Sequence, residues 1–79
     1  MDKQQIFNKV ANLLEDQMAI NPKNVTMDTY LIDDLGCDSL DEVEIFMAIE
    51  NDFGLDIIED LGIIINTVGD IVDFLEEAL

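Results

Sequence analysis

The 79-residue chain contains no histidine, no arginine and no tryptophan, and it has only one cysteine. Without histidine it lacks the side chain best suited to proton transfer near neutral pH, so acid–base catalysis is disfavoured. A single cysteine excludes an internal disulfide and fits a reducing compartment. We therefore expect a protein that is not an enzyme and that resides in the cytoplasm.

Positive charge is also scarce. The only cations are Lys3, Lys9 and Lys23, the formal net charge is −16, and residues 24–79 contain no lysine or arginine. Such a chain repels nucleic acid and anionic membranes, and it attracts basic patches on other proteins at long range. Solubility explains an excess of acids, but it does not explain a long segment without any lysine.

Long hydrophobic runs are missing as well. The longest, residues 61–65, is too short to cross a bilayer, and the N-terminal residues lack the apolar core of a secretory signal. Hydrophobic residues nevertheless make up 49% of the chain, too many for a disordered acidic tail. We expect one folded domain over residues 1–79, a monomer that does not insert into membranes.

Apolar residues recur at helical spacing in three segments, and no segment alternates clearly enough to predict a strand. The first helix ends by Pro22. The second runs over Ser39–Phe53, with Gly54 at a left-handed cap position. The third begins at Thr67, where Asp70 completes a capping box. The apolar face of the first helix comprises Ile6, Val10, Leu13, Leu14 and Met18, and that of the third comprises Val68, Ile71, Val72, Leu75 and Leu79.

Two stretches between these helices have no clean period. Residues 23–37 form a long loop, in which Leu31, Ile32 and Leu35 are expected to tuck against the helices. Residues 57–65 are expected to form a short irregular helix. The predicted fold class is therefore all-α: a small antiparallel bundle of three main helices plus one short irregular helix, with a long loop between helices 1 and 2.

The second helix has two apolar groups when it is projected at about 100° per residue. The larger group, which is enough to dock the helix on its neighbours, comprises Ile45, Phe46, Ile49 and Phe53. The smaller group, called here the ridge, comprises Leu40, Val43 and Met47. Apolar side chains at helical spacing are often core. Glu44 and Glu50 border the ridge, however, and an apolar centre with a charged rim is typical of protein interfaces.

Ser39 lies beside the start of the second helix, after a turn permitted by Gly36. With Glu42 three residues on, Ser39 also fits a capping box, the ordinary role of serine at this position. It is not expected to be a nucleophile in its own right, because no histidine is available to take the hydroxyl proton. A serine that another enzyme modifies needs only exposure.

The residues around Ser39 resemble the attachment site of the acyl carrier protein family, of the type II kind used in fatty acid synthesis. The matching residues follow the family order over nearly the whole chain: Leu31, Ile32, Asp34, Leu35, Gly36, Asp38, Ser39, Leu40, Asp41, Val43, Glu44, Met47, Glu50, Phe53, Ile57, Thr67 and Val68. An ordered set across four segments is far more specific than the Asp-Ser-Leu triplet alone.

This resemblance implies a carrier that shuttles acyl groups in fatty acid biosynthesis. A holo-carrier synthase (a phosphopantetheinyl transferase) would attach 4′-phosphopantetheine from coenzyme A to Ser39, and acyl chains would ride on the arm as thioesters. Acyl-chain synthesis enzymes with basic docking patches would bind the chain. The residues implied in partner binding are Asp38, Leu40, Asp41, Val43, Glu44, Met47 and Glu50. The residues implied in an acyl pocket between the helices are Phe7, Leu31, Ile49, Ile57 and Ile65, which would equally serve as ordinary core.

Three departures from the family pattern bear on the cargo. Cys37 replaces a common alanine, and we interpret it as a small packing residue. Ile58 stands where proline is frequent, and residues 61–65 are more apolar than the usual acidic short helix. These features keep open a specialised carrier for polyketide or special lipid synthesis. An acidic protein-interaction module without a prosthetic group is a further alternative, while the acids do not follow the spacing of an EF-hand calcium loop.

Overall fold

The computed structural model describes residues 2–54 and 65–79. Helix α1 spans Lys3–Met18, α2 spans Ser39–Phe53 and α3 spans Val68–Ala78, with a single 3₁₀ turn at Pro22–Asn24. These residues contain no strand, only an isolated antiparallel bridge between Tyr30 and Thr67. The all-α class and the three main helices are confirmed. The predicted short helix over 57–65, including Ile57 and Ile58, lies outside the described residues apart from Ile65.

Local signals define the ends of the helices. At the start of α1 the Asp2 carboxylate accepts the Gln5 backbone N–H at 2.8 Å, and the Gln5 side chain accepts the Asp2 N–H at 3.0 Å. Helix α2 ends at Gly54, whose φ of 68° is the predicted left-handed cap. Helix α3 has the predicted capping box, in which the Thr67 hydroxyl accepts the Asp70 N–H at 3.1 Å.

The core lies where the apolar faces of the helices meet. Ten large side chains in it are almost completely buried: Ile6, Val10, Leu14, Leu31, Ile45, Ile49, Val68, Ile71, Val72 and Leu75. Leu13 and Met18 of α1 are only half-buried at the edge. The prediction that Leu79 continues the α3 stripe is wrong, because this residue lies beyond the last helical turn and its side chain is 51% exposed.

Helices α1 and α2 run antiparallel. The Lys9 ammonium of α1 lies 3.6 Å from the Asp52 carboxylate and 4.7 Å from the centre of the Phe53 ring, both at the end of α2. At the other end, the Cys37 thiol, two residues before α2, lies 3.3 Å from the sulfur of Met18, the last residue of α1. The predicted antiparallel packing is therefore confirmed for this pair.

The loop between α1 and α2 is held by backbone hydrogen bonds to the start of α3. The N–H groups of Val68 and Gly69 donate to the carbonyls of Thr29 and Met27 at 2.9 and 2.8 Å, and the Leu31 N–H donates to the Asn66 carbonyl at 2.9 Å. These bonds bury Leu31 in the core, as predicted.

The other two predicted anchors of the loop differ from Leu31. Leu35 is half-buried, but the prediction that Ile32 tucks under the loop is wrong, since its side chain is 59% exposed. The chain turns tightly here, because the Leu35 N–H donates to the Tyr30 carbonyl at 3.2 Å and the Gly36 N–H to the Ile32 carbonyl at 3.0 Å. Such a turn directs Leu31 inward and its neighbour Ile32 outward.

Candidate functional site

Helix α2 is capped by Asp38. The Asp38 carboxylate accepts the Asp41 N–H at 2.8 Å, the Asp41 carboxylate accepts the Asp38 N–H at 3.2 Å, and the Asp38 carbonyl accepts the Glu42 N–H at 3.0 Å. The capping box expected between Ser39 and Glu42 is therefore wrong by one residue. The reason is that the turn before the helix leaves Asp38, not Ser39, in the extended conformation that a cap residue needs.

Ser39 is the first residue of α2, and its side chain is exposed. Because Asp38 supplies the cap, no group in residues 2–54 or 65–79 hydrogen-bonds to the Ser39 hydroxyl. The backbone N–H groups of Ser39 and Leu40 also have no acceptor within those residues, as is usual in the first turn of a helix. The site thus presents a free hydroxyl beside two outward N–H donors at the positive end of a helix dipole.

The segment before Ser39 is held to the core by a backbone hydrogen bond and by the buried Cys37 side chain. Gly36 has a φ of 71°, a left-handed conformation that glycine adopts without strain, and the Cys37 N–H then donates to the Leu31 carbonyl at 3.0 Å. The Cys37 side chain is buried against Met18. The turn therefore directs the cysteine into the core, while Ser39, two residues later, faces solvent.

Burial raises the pKa of the Cys37 thiol above its ordinary value, and the carboxylates of Asp41, Glu42 and Asp38 raise this pKa further. A buried thiol that resists ionisation is a poor nucleophile. These observations agree with the interpretation of Cys37 as a packing residue.

The ridge lies on the surface. The side chains of Leu40, Val43 and Met47 are 67%, 43% and 51% exposed, whereas the opposite face of α2 is buried through Ile45 and Ile49. The alternative in which the ridge also belongs to the core is therefore wrong. An isolated apolar side chain on a surface needs no explanation, but three at successive helical positions form a patch.

Acidic residues surround the ridge. The side chains of Asp38 and Glu44 are exposed, and those of Asp41 and Glu50 are half-buried. Lys9 of α1 forms an ion pair with Asp52, which lies at the far end of α2 from Ser39. The ridge therefore carries a negative field with no lysine among the residues that define it.

Two of the predicted acyl-pocket residues, Phe7 and Ile65, line different cavities in the part of the chain that the structure describes. Leu31 and Ile49 are completely buried core residues. Phe7 lines an open groove of about 510 Å³ with Val25 and Met27. Ile65 lines a separate cavity of about 180 Å³, and Ile57 lies outside the described residues. The acyl pocket stays a prediction.

The described residues show neither a membrane-spanning helix nor a metal-binding cluster. None of α1, α2 and α3 is long and apolar enough to span a bilayer. Residues 2–54 and 65–79 also hold no group of three or more acidic or cysteine side chains arranged to bind a metal ion.

The fold and the site define a small helical domain that presents one serine at the start of an acidic helix. The phosphopantetheine attachment site family matches residues 8–75, which is most of the chain, so the chain belongs to this family. It is therefore a carrier protein whose prosthetic group is 4′-phosphopantetheine. Carrier domains of this family are generally non-catalytic, and they interact with a phosphopantetheinyl transferase and with acyl-processing enzymes.

The sequence does not predict one further feature of this face. A groove of about 370 Å³ separates the ridge from α1, and it is lined by Gln17, Glu44, Met47, Ala48 and Asn51. The periodicity of α2 alone could not reveal it, because one wall belongs to a different helix.

Proposed function

We propose that this chain is an acyl carrier protein of fatty acid biosynthesis, with 4′-phosphopantetheine attached to Ser39 and acyl chains carried as thioesters. One observation carries the proposal: Ser39 begins α2 with an exposed hydroxyl that the neighbouring Asp38 cap leaves free. Ser39 is also the only serine in the chain, and it falls within the matched residues 8–75.

The residues around Ser39 fit a phosphodiester. The unpaired N–H groups of Ser39 and Leu40, together with the helix dipole, favour a negative group at this position. The negative carboxylates of Asp38 and Asp41 repel a negative group at this position. Each of them, however, already accepts a backbone N–H of the capping box, which partly offsets its charge. When bound, the arm supplies a terminal thiol that forms thioesters with acyl groups.

The chain lacks the means to modify itself. It has no histidine, and the groups nearest the Ser39 hydroxyl in sequence are carboxylates, which disfavour a developing alkoxide. The transferase must therefore supply the base that takes the serine proton. On this proposal Asp38, Asp41, Glu44 and Glu50 attract basic residues of that enzyme.

The ridge suits a carrier that exchanges partners. The ridge provides a small apolar centre for binding. The acids around it raise the association rate of a basic partner more than they lower its dissociation rate. We propose that the holo-carrier synthase and the acyl-chain synthesis enzymes share this face, so that each partner binds briefly and leaves.

Intact-mass measurement after incubation with coenzyme A and a phosphopantetheinyl transferase tests the attachment site. The wild-type chain should gain one phosphopantetheinyl group, and Ser39→Ala should gain none. Cys37→Ala is the matched control and should be loaded like the wild type, because the thiol is buried. A mass gain in Ser39→Ala would refute Ser39 as the attachment site. No gain in the wild type with several transferases would refute the carrier function and favour an interaction module without a prosthetic group.

A second candidate function is a carrier dedicated to polyketide or special lipid synthesis. Its basis is the apolar stretch at residues 61–65, where an acidic segment is usual in fatty acid carriers. Mass spectrometry of the protein purified from its own cells distinguishes the two. Saturated and 3-hydroxy straight chains of graded length would support fatty acid synthesis, whereas a single unusual acyl group would support the specialised role.

A further inference from the structure

We infer that the groove beside Phe7 binds a free fatty acid as its carboxylate, with the hydrocarbon tail along the groove and the carboxylate at Lys3. This groove of about 510 Å³, called here the Phe7 groove, lies between the first turns of α1 and the segment Val25–Met27. Its volume falls within the range of small-molecule sites. The inference adds a ligand site to the chain, and binding at this site does not depend on the phosphopantetheine arm.

The Phe7 groove has an apolar floor that the fold holds in place. Val25 is buried, and Phe7 and Met27 are half-buried. The carbonyl of Met27 accepts the Gly69 N–H at 2.8 Å, so this wall is fixed to α3. A hydrocarbon tail laid along these side chains removes apolar surface from water on both the ligand and the protein.

The charge of the Phe7 groove differs from that of the chain as a whole. The sequence has 19 acidic residues, yet none is among the described residues that line this groove. Lys3 is the only ionisable side chain among them. A cationic ligand therefore meets a like charge here, whereas a ligand with a negative head meets an opposite one. Salt screens charges beyond about 8 Å at physiological ionic strength, so the nearest groups count most.

Lys3 can receive a second carboxylate. Its ammonium has three N–H donors and lies 2.8 Å from one oxygen of Asp73, and no other described group pairs with it. Both side chains are more than half exposed, so this ion pair contributes little and can be shared or exchanged. The Gln4 amide donates to Asn8 at 3.0 Å and retains a second N–H for the same ligand. Asp73 and Glu76 act on Lys3 and repel a ligand anion, which gives the inference a test of sign.

The Phe7 groove lies away from Ser39. Phe7 is about 16 Å along α1 from Met18, which contacts Cys37 in the turn before Ser39. Phe7 is also the only member of the predicted acyl pocket that lines this groove among the described residues. On the proposed function, hydrolysis of the carried thioester consumes water and releases a fatty carboxylate, a proton and the free arm thiol. That class of reaction supplies the ligand.

Nuclear magnetic resonance of the unmodified chain tests the site. Octanoate, octanol and octyltrimethylammonium are titrated separately at equal ionic strength and below micelle formation, while the methyl signals of Val25, Met27 and Met47 are observed. Octanoate should shift the Val25 and Met27 signals with an affinity several-fold higher than that of octanol. Octyltrimethylammonium should instead shift the Met47 signal of the acidic ridge. No shift with octanoate, or equal affinities of any two compounds at Val25 and Met27, would overturn the inference.

A matched pair of lysine variants tests the head group. Lys3→Met keeps an apolar stem but removes the ammonium, so it should weaken octanoate binding several-fold and leave octanol binding unchanged. Lys23→Met makes the same change of charge at an exposed lysine that does not line the groove, and it should change neither affinity. If both variants weaken octanoate binding equally, only the net charge matters and the inference fails.

A second pair tests the competing carboxylate. Asp73→Asn should strengthen octanoate binding several-fold, although it removes an ion pair from the fold. Asp16→Asn, at an exposed position about 20 Å from Lys3 along α1, should not. An unchanged or weaker affinity in Asp73→Asn, or an equal gain in both variants, would contradict the placement of the carboxylate at Lys3. Ser39→Ala, which cannot carry the arm, should bind octanoate like the wild type. Failure of the Phe7 groove therefore leaves the loading of Ser39 standing, and failure of loading leaves the groove standing.

Discussion

The carboxylate of Asp38 accepts the backbone N–H of Asp41 at 2.8 Å, and the carboxylate of Asp41 accepts the N–H of Asp38 at 3.2 Å. This reciprocal pair satisfies the start of α2 without using the side chain between them. Ser39 is therefore held at a fixed helical position while its hydroxyl remains available. Asp38 caps the helix, and the adjacent Ser39 is left to present its hydroxyl.

The first prediction concerns this separation. Asp38→Ala should lower the free energy of unfolding by about 1 kcal/mol, because it removes the cap of α2. Ser39→Ala should change it by less than about 0.5 kcal/mol, as expected for an exposed residue without a partner. Urea unfolding followed by circular dichroism measures both. Asp38→Asn, which keeps a capping oxygen, should recover most of the loss. A larger loss for Ser39→Ala than for Asp38→Ala would mean that the serine is the cap.

The sequence predicted the features of the fold that depend on nearby residues. Thr67 and Asp70 lie three positions apart and form the expected box, and Gly54 ends α2 as expected. The sequence does not locate the cap of α2, because Asp38–Asp41 and Ser39–Glu42 have the same spacing. Only the conformation of the preceding turn distinguishes the two pairs.

The features that the sequence could not predict depend on contacts between distant segments. Helical spacing placed Leu40, Val43 and Met47 on one face, but it could not decide between core and surface without knowing that the neighbouring helices cover the other face. The exposure of Ile32 depends on a tight turn with no strong sequence signal. The groove beside Asn51 needs α1 to lie alongside α2.

The second prediction concerns Gly69, in the first turn of α3. Its N–H donates to the Met27 carbonyl at 2.8 Å, and a Cβ at this position would lie 2.7 Å from the same oxygen. Gly69→Ala should therefore destabilise the fold by about 1–3 kcal/mol, although alanine is ordinarily the better helix residue. Chemical denaturation gives the value, and Glu76→Ala on the exposed side of α3 is the control. A Gly69→Ala protein as stable as the wild type would show that the loop does not pack so closely here.

The third prediction concerns acid stability and Asp70. Its carboxylate accepts the N–H groups of Asn66 and Thr67 at 2.9 and 3.0 Å, and these bonds hold its pKa below the ordinary value of 3.8. A group whose pKa is lower in the folded state stabilises the fold above the pKa of the unfolded chain. That contribution is lost as the pH falls through the folded value.

Asp70→Asn keeps an oxygen that can accept these bonds but removes the titration. The dependence of unfolding free energy on pH should therefore be shallower than in the wild type below about pH 4. Urea unfolding at a series of pH values measures the slope. Glu77→Gln, an exposed acid on the same helix, should leave the slope unchanged. An Asp70→Asn slope equal to that of the wild type would contradict the assignment of the two hydrogen bonds.

The last prediction concerns the Cys37 thiol. Burial raises its pKa, and the thiol donates to the Met18 sulfur at 3.3 Å, so both ionisation and access are restricted in the folded chain. A thiol-specific reagent should react far more slowly with the native protein than with the chain in urea. The rate should also rise at higher pH in the native protein than in the unfolded chain, because the thiolate forms only above the raised pKa.

Two methionine variants test whether the contact with Met18 causes this protection. Met18→Ala removes the side chain that covers the thiol and should speed the native reaction, whereas Met47→Ala alters only the exposed ridge and should not. The carboxylates of Asp38, Asp41 and Glu42 are unchanged in both variants. If Met18→Ala reacts as slowly as the wild type, the contact with Met18 is not what protects Cys37.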